Sequence, residues 1–164
     1  MGVRPYLAEA YIRRNFPAKY KVMNHFWHRD RNHPDHLLKA FLFLTDCEIE
    51  NGPHEYIAGS VIDRQLDGKP YFSEEEVDSI YPKDDYRRIK SIVKAGTIIL
   101  EDTRGLHRAT IPTKGIRDLG FAVFVPHPFY SSWESKYYNI DKKLFHSLSK
   151  RQKEYIPKSF IQKS

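Results

Sequence analysis

The feature of this 164-residue chain that most constrains its fold is a series of short apolar segments separated by turn residues. The segments are LLKAFLFLTD, HEYIAGS, GTIILED, GLHRAT and RDLGFAVFVP. Each is only long enough for one strand, and glycine, proline, asparagine or aspartate residues stand between them. A succession of this kind predicts a mainly β domain, built as a sandwich or a barrel.

The remaining segments predict a few short helices around these strands. Residues 6–14 carry apolar residues near one helical face, which predicts a short helix, whereas residues 19–30 alternate as a strand does. Ser73 and Glu76 form a capping box that predicts a helix of about two turns, ended before Pro82.

One domain over 1–164 is the expected organisation for a chain of this length. Its core is predicted at about 20–126, and the insertion at about 61–94, which holds the capping box, is the best candidate for a lid. The tail at about 133–164 has no strong period and is expected to fold back as short helices.

Composition and charge exclude several classes of protein. The longest apolar runs are far shorter than the roughly 20 residues that cross a bilayer, so no transmembrane segment is predicted. The N-terminal stretch lacks the features of a secretory signal, which predicts a cytoplasmic protein. The single cysteine, Cys47, excludes an internal disulfide and a cysteine-rich zinc site, and we expect a buried thiol. The net charge of +6 is dispersed, which favours a small anionic substrate over a nucleic acid.

Three residues have the types and spacing of a metal site. His28 and Asp30 are two positions apart, so on a strand both side chains leave the same face. His107 follows a glycine turn in a later strand and can supply a third ligand. Two imidazoles and one carboxylate on one face of an octahedron leave three positions open, which is the arrangement of non-haem Fe(II) oxygenases.

Arg117 is the candidate partner for a bidentate, anionic co-substrate. It lies at the start of the last predicted core strand, and Leu119, Phe121 and Val123 share its face. A guanidinium offers a carboxylate two parallel hydrogen bonds. The expected site is therefore an apolar pocket around one buried charge.

These blocks together resemble a known family. WHRD, LLKAFLFLTD, ENGPHEYIAGS, GTIILEDTRGLHRA and Arg117 occur in order over residues 20–126 and are similar to the phytanoyl-CoA dioxygenase-like family of Fe(II)/2-oxoglutarate oxygenases. The resemblance implies a double-stranded β-helix, which is a cupin-like jelly roll. It also implies Fe(II) on His28, Asp30 and His107, 2-oxoglutarate on Arg117, and dioxygen as oxidant. The implied reaction hydroxylates a small molecule and releases succinate and CO2. The net charge of +6 points to a substrate that is anionic or carrier-linked.

Several polar residues near this site keep two interpretations each. Asn24 and Lys39 are candidates for co-substrate binding, although Asn24 could equally satisfy a backbone group and Lys39 could extend to solvent from the strand edge. Asp102 could accept from a ligand imidazole or from the turn at Gly105. Trp27 and Arg29 point to the other face, as packing and surface residues. The other histidines are not predicted as ligands: His25, which faces away from His28, and His33, His36 and His54, which are expected at the surface or in loops.

Two other functions stay open at this point. A catalytically silent jelly-roll module that binds a metal or ligand would share the fold but produce no succinate. A cupin-like metal isomerase or hydrolase would bind a metal and ignore 2-oxoglutarate. No motif in the insertion or the tail identifies the substrate.

Overall fold

The computed structural model describes residues 4–30, 37–126 and 139–162, and over these ranges the chain is mainly β. The strands are β1 (Pro5–Asn15), β2 (Leu38–Phe43), β3 (His54–Ile57), β4 (Arg88–Lys90), β5 (Ile98–Glu101), β6 (His107–Ala109) and β7 (Arg117–Pro126). The helices are α1 (Glu74–Ile80), α2 (Lys142–Ser147) and α3 (Lys150–Lys153), with single 3-10 turns at Met23–His25, Ile49–Asn51 and Lys158–Phe160.

The strands form two antiparallel sheets whose neighbours are mostly not consecutive in the chain. The larger sheet has the order β1-β7-β2-β5 and the smaller one the order β4-β3-β6. A bridge between His28 and His107 adds the segment around residue 28 to the free edge of β6. Two sheets joined by such crossing connections make a jelly roll, so the predicted double-stranded β-helix with a few short helices is confirmed.

The core of the larger sheet lies on the face that looks toward the smaller sheet. Phe41 and Phe43 of β2 pair there with Phe121 and Leu119 of β7, and Cys47 packs beside them with no exposed surface. The cysteine is therefore the buried thiol that the sequence predicts, and burial raises its pKa.

The predicted helix over residues 6–14 is wrong, because this segment is most of β1. It pairs with β7 along its whole length, interrupted by one bulge near Leu7 and Glu9. The apolar residues that suggested a helical face also alternate, so the ring of Tyr11 packs edge-on against Phe121 while Ile12 points outward. The predicted strand over residues 19–30 is reduced to two isolated bridges, at Trp27 and His28, which follow a 3-10 turn.

The second face of β2 is partly exposed. Leu42 is 37% exposed, and its neighbours on β5, Ile98 and Leu100, are 62% and 65% exposed. Within residues 4–30, 37–126 and 139–162, Leu42 and Ile98 line an open groove on the outer face of the larger sheet. The hydrophobic pattern of β2 is thus two-sided although only one side is buried.

Helix α1 begins at the predicted capping box. Ser73 Oγ accepts from the backbone N–H of Glu76, and the Glu76 carboxylate accepts from the N–H of Ser73. Val77 and Tyr81 are fully buried against Trp27, on the face of the smaller sheet that lies opposite His28. The helix is thus part of the core, and a lid role for the rest of the insertion stays a prediction.

The tail folds back on the larger sheet where it is described. Helices α2 and α3 lie in it, and the N–H of Leu7 on β1 donates to the carbonyl of Tyr155 at 2.8 Å. Phe160 is buried. No helix among the described residues is long and apolar enough to cross a membrane.

Candidate metal centre

The two histidines of the predicted site are neighbours through their backbones. The N–H of His28 donates to the carbonyl of His107 at 2.9 Å, and the N–H of His107 donates back to His28 at 3.0 Å. Their rings lie side by side, with centroids 4.3 Å apart. The short strand pairing therefore sets the spacing of the two imidazoles before any ligand is considered.

Each imidazole presents a free lone pair to the cavity. Nδ1 of His28 lies 2.8 Å from the carbonyl oxygen of Phe26, and Nδ1 of His107 lies 2.9 Å from that of Gly105. A carbonyl only accepts, so Nδ1 carries the proton and Nε2 is unprotonated in the neutral ring. Burial lowers the pKa of both histidines, which favours that neutral form. Backbone partners on the far nitrogen are the usual way to orient a metal-binding histidine.

Asp30 completes a cluster with the donor set of a divalent metal site. Its Oδ1 lies 3.9 Å from Nε2 of His28 and its Oδ2 lies 3.7 Å from Nε2 of His107, and the ligand atoms all fall within 4.8 Å of one another. Bonds of about 2.1 Å to one octahedral ion would place neighbouring ligand atoms about 3 Å apart. Small side-chain rotations thus suffice, and the three residues fit Fe(II).

The Asp30 carboxylate is held in its charged form. Burial raises its pKa, but the ammonium of Lys39 outweighs burial and lowers the pKa to about 2. The carboxylate is therefore ionised and able to bind a cation at neutral pH.

Arg117 is a buried cation with unused hydrogen-bond donors. It is 1% exposed, and its Nε and Nη1 have no partner among the described residues. It begins β7 and lines the same cavity of about 180 Å³ as the histidines, with Phe41, Leu119 and Phe121 as apolar walls. Unpaired buried donors are costly, so this guanidinium is suited to a carboxylate ligand.

The two weaker candidates differ in their surroundings. Asn24 lines the cavity from the 3-10 turn, not from a strand, and its part in co-substrate binding stays a prediction. Lys39 does not extend to solvent: its Nζ lies 2.5 Å from Oδ2 of Asp30. Whether it also meets a co-substrate stays a prediction.

Asp102 does not support a ligand imidazole. Its carboxylate accepts from the guanidinium of Arg104 at 2.6 and 2.9 Å, while both imidazoles donate to backbone carbonyls. Arg29, expected at the surface, is instead buried and donates to four carbonyls, which tie together the loops that carry them: Ser60, Asp63, Leu66 and Arg104. The expectation for Trp27, a packing role on the other face, is confirmed.

A second buried pair, near the cavity wall, was not predicted from the sequence. His54, predicted at the surface or in a loop, is 6% exposed on β3, and its Nε2 lies 3.1 and 2.9 Å from the two carboxylate oxygens of Glu101. Its ring lies 5.5 Å from that of His107. The signal available in the sequence for this pair was Glu101, a charged residue at the end of the apolar run of β5.

The remaining side chains to place are Tyr71 and three histidines that were not predicted as ligands. Tyr71, from the insertion, is half-exposed with its ring 6.3 Å from that of His28, which no motif indicated. His25 uses Nδ1 to accept from the backbone N–H of Val22 and is not in the metal cluster. His33 and His36 fall outside the described residues.

A known protein family matches this chain over more than half of its length. Residues 23–117 match the sequence model of the family described as phytanoyl-CoA dioxygenase. Among curated proteins, no sequence matches this chain.

Several solved structures share the fold. The non-heme alpha ketoglutarate dependent carbocyclase SnoK from nogalamycin biosynthesis superimposes with a TM-score of 0.58 at 20% identity, over 76% of this chain and 51% of that one. The epimerase SnoN from the same biosynthesis gives 0.58 at 17%, over 76% and 48%. HygX from Streptomyces hygroscopicus with nickel, 2-oxoglutarate and hygromycin B bound gives 0.53 at 19%, over 78% and 59%. This chain thus spans about half to three fifths of the length of these structures.

Proposed function

Because the chain belongs to the phytanoyl-CoA dioxygenase family, we propose that it is a non-haem Fe(II)/2-oxoglutarate-dependent dioxygenase that hydroxylates a small molecule. The observation that carries the proposal is one cavity holding two different unused groups. It contains three metal-type ligand atoms that face one another and a buried guanidinium with free donors. A purely structural cavity requires neither.

The residues have separate parts in this proposal. His28, Asp30 and His107 would hold Fe(II) on one face and leave three positions for a bidentate keto acid and dioxygen. Arg117 would pair with the distal carboxylate of 2-oxoglutarate, and Asn24 would add a hydrogen bond from the cavity wall. The apolar side chains around them exclude water from the reacting centre.

The overall chemistry balances without a further oxidant. Bound Fe(II) and 2-oxoglutarate supply the activation of dioxygen, in which the keto acid is oxidised and decarboxylated. One oxygen atom enters succinate and the other enters a C–H bond of the substrate, with CO2 released. Asp30 keeps a carboxylate in the third ligand position, which favours hydroxylation over halide transfer.

We propose a substrate that is a small molecule, anionic or carrier-linked, and a cytoplasmic site of action. The net charge of +6 supports an anionic substrate, because a positively charged protein attracts anions. HygX, which shares the fold, has nickel, 2-oxoglutarate and the small molecule hygromycin B bound in its structure.

Binding of the co-substrate tests the proposal most directly. Under anaerobic conditions, Fe(II) and 2-oxoglutarate should give a weak visible charge-transfer band, and His107→Ala should abolish it. In Arg117→Met the Kd for 2-oxoglutarate should rise about 100-fold, since a buried charge pair is lost. Arg14→Met is the matched control, because Arg14 is exposed and bonded to Asp118. No band in the parent chain would refute the proposal.

Oxygen-dependent formation of succinate distinguishes the proposed function from the two alternatives, a silent binding module and a metal isomerase or hydrolase. A dioxygenase of this family should form succinate from 2-oxoglutarate in the presence of oxygen, slowly even without a prime substrate. A silent binding module would form none, and a metal isomerase or hydrolase would bind the metal with no response to 2-oxoglutarate.

A further inference from the structure

We propose that Lys39 is a positioning residue that fixes Asp30 as a metal ligand through one oxygen, and that the buried pair of His54 and Glu101 keeps it there. The inference rests on the proposed function, because it concerns the residues that would hold Fe(II). It assigns Lys39 to the protein's own carboxylate and not to the carboxylate of the co-substrate.

The ammonium of Lys39 lies against the carboxylate of Asp30. Lys39 lies on the inward face of β2, its side chain is 16% exposed, and Nζ is 2.5 Å from Oδ2 of Asp30. A lysine on a strand normally carries its charge to water, so a lysine turned inward indicates a specific anionic partner.

A second carboxylate is close enough to compete for the same ammonium. Lys39 and Glu101 are directly opposite each other in the pairing of β2 with β5. Side chains at such positions start about 5 Å apart on the same face. Glu101 is also buried, so an unengaged Glu101 would attract Lys39 away from the metal cluster.

His54 removes that competition. Its Nε2 lies within hydrogen-bond distance of both oxygens of Glu101, at 3.1 and 2.9 Å. With Glu101 engaged from the β3 side, the ammonium of Lys39 is left to Asp30. The two pairs thus form one arrangement, in which each carboxylate has its own nitrogen partner.

The consequence for a metal follows from the two oxygens of a carboxylate. A free carboxylate can bind a cation through both oxygens and then occupies two coordination positions. An ammonium held on Oδ2 leaves Oδ1 as the metal-binding atom. One more position then stays open, and an Fe(II) site that takes a bidentate keto acid and dioxygen needs three. The positive charge of Lys39 also opposes the cation, so metal affinity is lower than the three ligands alone would give.

The test is a pair of anaerobic titrations, first with Co(II) and then with 2-oxoglutarate on the Co(II)-loaded chain. Lys39→Met removes the ammonium and keeps an unbranched side chain. We expect the Kd for Co(II) to fall about tenfold and the Kd for 2-oxoglutarate to rise about tenfold, as Asp30 takes a second position. Lys39→Arg should return both constants toward the parent values. Lys83→Met, which removes an exposed lysine beside α1, should change neither.

His54→Gln tests the second half of the proposal without touching Lys39. Releasing Glu101 should draw the ammonium away from Asp30 and shift both constants in the same directions as Lys39→Met. This variant also keeps the proposal testable if Lys39→Met is too unstable for titration.

The other outcomes each overturn a defined part. Weaker 2-oxoglutarate binding with unchanged Co(II) binding in Lys39→Met would place Lys39 on the co-substrate. Weaker binding of both, or no change in either, would leave Lys39 a packing residue. A parent chain that binds neither Co(II) nor 2-oxoglutarate would refute the proposed function itself, whereas normal parent binding confines the failure to the Lys39 proposal.

Discussion

Gly105 is a position where one methyl group should disturb both the fold and the metal site. Its carbonyl accepts from Nδ1 of His107, and its α-carbon lies directly against the ring of Tyr56. A β-carbon at Gly105 would lie 2.3 Å from the hydroxyl oxygen of Tyr56 and 2.6 Å from two of its ring carbons. The ring cannot swing away freely, because it is half-buried and its hydroxyl donates to the carbonyl of Asp102.

The cost of Gly105→Ala follows from this contact. Overpacking of this kind costs about 1–3 kcal/mol, and the reduced freedom of the unfolded chain returns about 0.4–1 kcal/mol. We expect a net loss of about 1–2 kcal/mol, which for a chain of this size lowers Tm by about 2–8 °C. Since the turn that orients His107 must shift, the Kd for Co(II) should also rise about tenfold.

Thermal unfolding followed by circular dichroism, together with Co(II) titration, measures both effects. Gly120→Ala is the matched control. Gly120 also faces a residue on a neighbouring strand, but a β-carbon added there would lie 3.8 Å from Leu42, which is an ordinary contact. Its Tm should stay level or rise slightly. Tyr56→Leu in the same background should reduce the cost of Gly105→Ala. An unchanged Tm in Gly105→Ala, or additive effects in the double variant, would refute the steric argument.

Three further substitutions test the scaffold around the site by thermal unfolding. Ser73→Ala removes the N-cap of α1 and should cost about 1 kcal/mol, or about 2–4 °C, whereas Ser79→Ala in the same helix should cost much less; equal effects would contradict the cap assignment. Val77→Ala should cost about 2 kcal/mol and leave the Kd for 2-oxoglutarate unchanged, because the side chain packs in the core; a change in that Kd with an unaltered Tm would indicate a lid. Glu101→Leu should cost about 3 kcal/mol by leaving His54 without its partner, and adding His54→Leu should recover part of the loss; the absence of coupling would show that the pair contributes nothing.

The site could be anticipated from the sequence because its residues depend on local rules. The spacing of His28 and Asp30 places both on one face even though the strand there is reduced to isolated bridges at Trp27 and His28. The glycine turn before His107 and the position of Arg117 at the start of β7 are likewise set by nearby residues. Their closeness in the structure agrees with that expectation, while metal and co-substrate binding stay predictions.

What could not be anticipated depends on contacts between distant segments. Residues 6–14 fit a helical face and a strand equally, and only pairing with β7 decides between them. The partners of Lys39 and His54 are fixed by which carboxylates the two sheets bring inward, and no spacing in the chain reveals that. Likewise, the pattern of β2 shows two apolar faces but cannot show which of them is covered.

The bridge between His28 and His107 has a consequence for how a metal would bind. A long segment of chain joins these two residues. Bringing its two ends together from the unfolded state costs conformational entropy. The paired backbone hydrogen bonds close it during folding, so the imidazoles are already neighbours when the ion arrives. Removal of the metal by a chelator should therefore leave the fold of this chain intact. Small zinc domains differ, because they unfold when their metal is withdrawn. The site is preassembled, and a bound ion would act as a clamp on a junction that the sheet has already made.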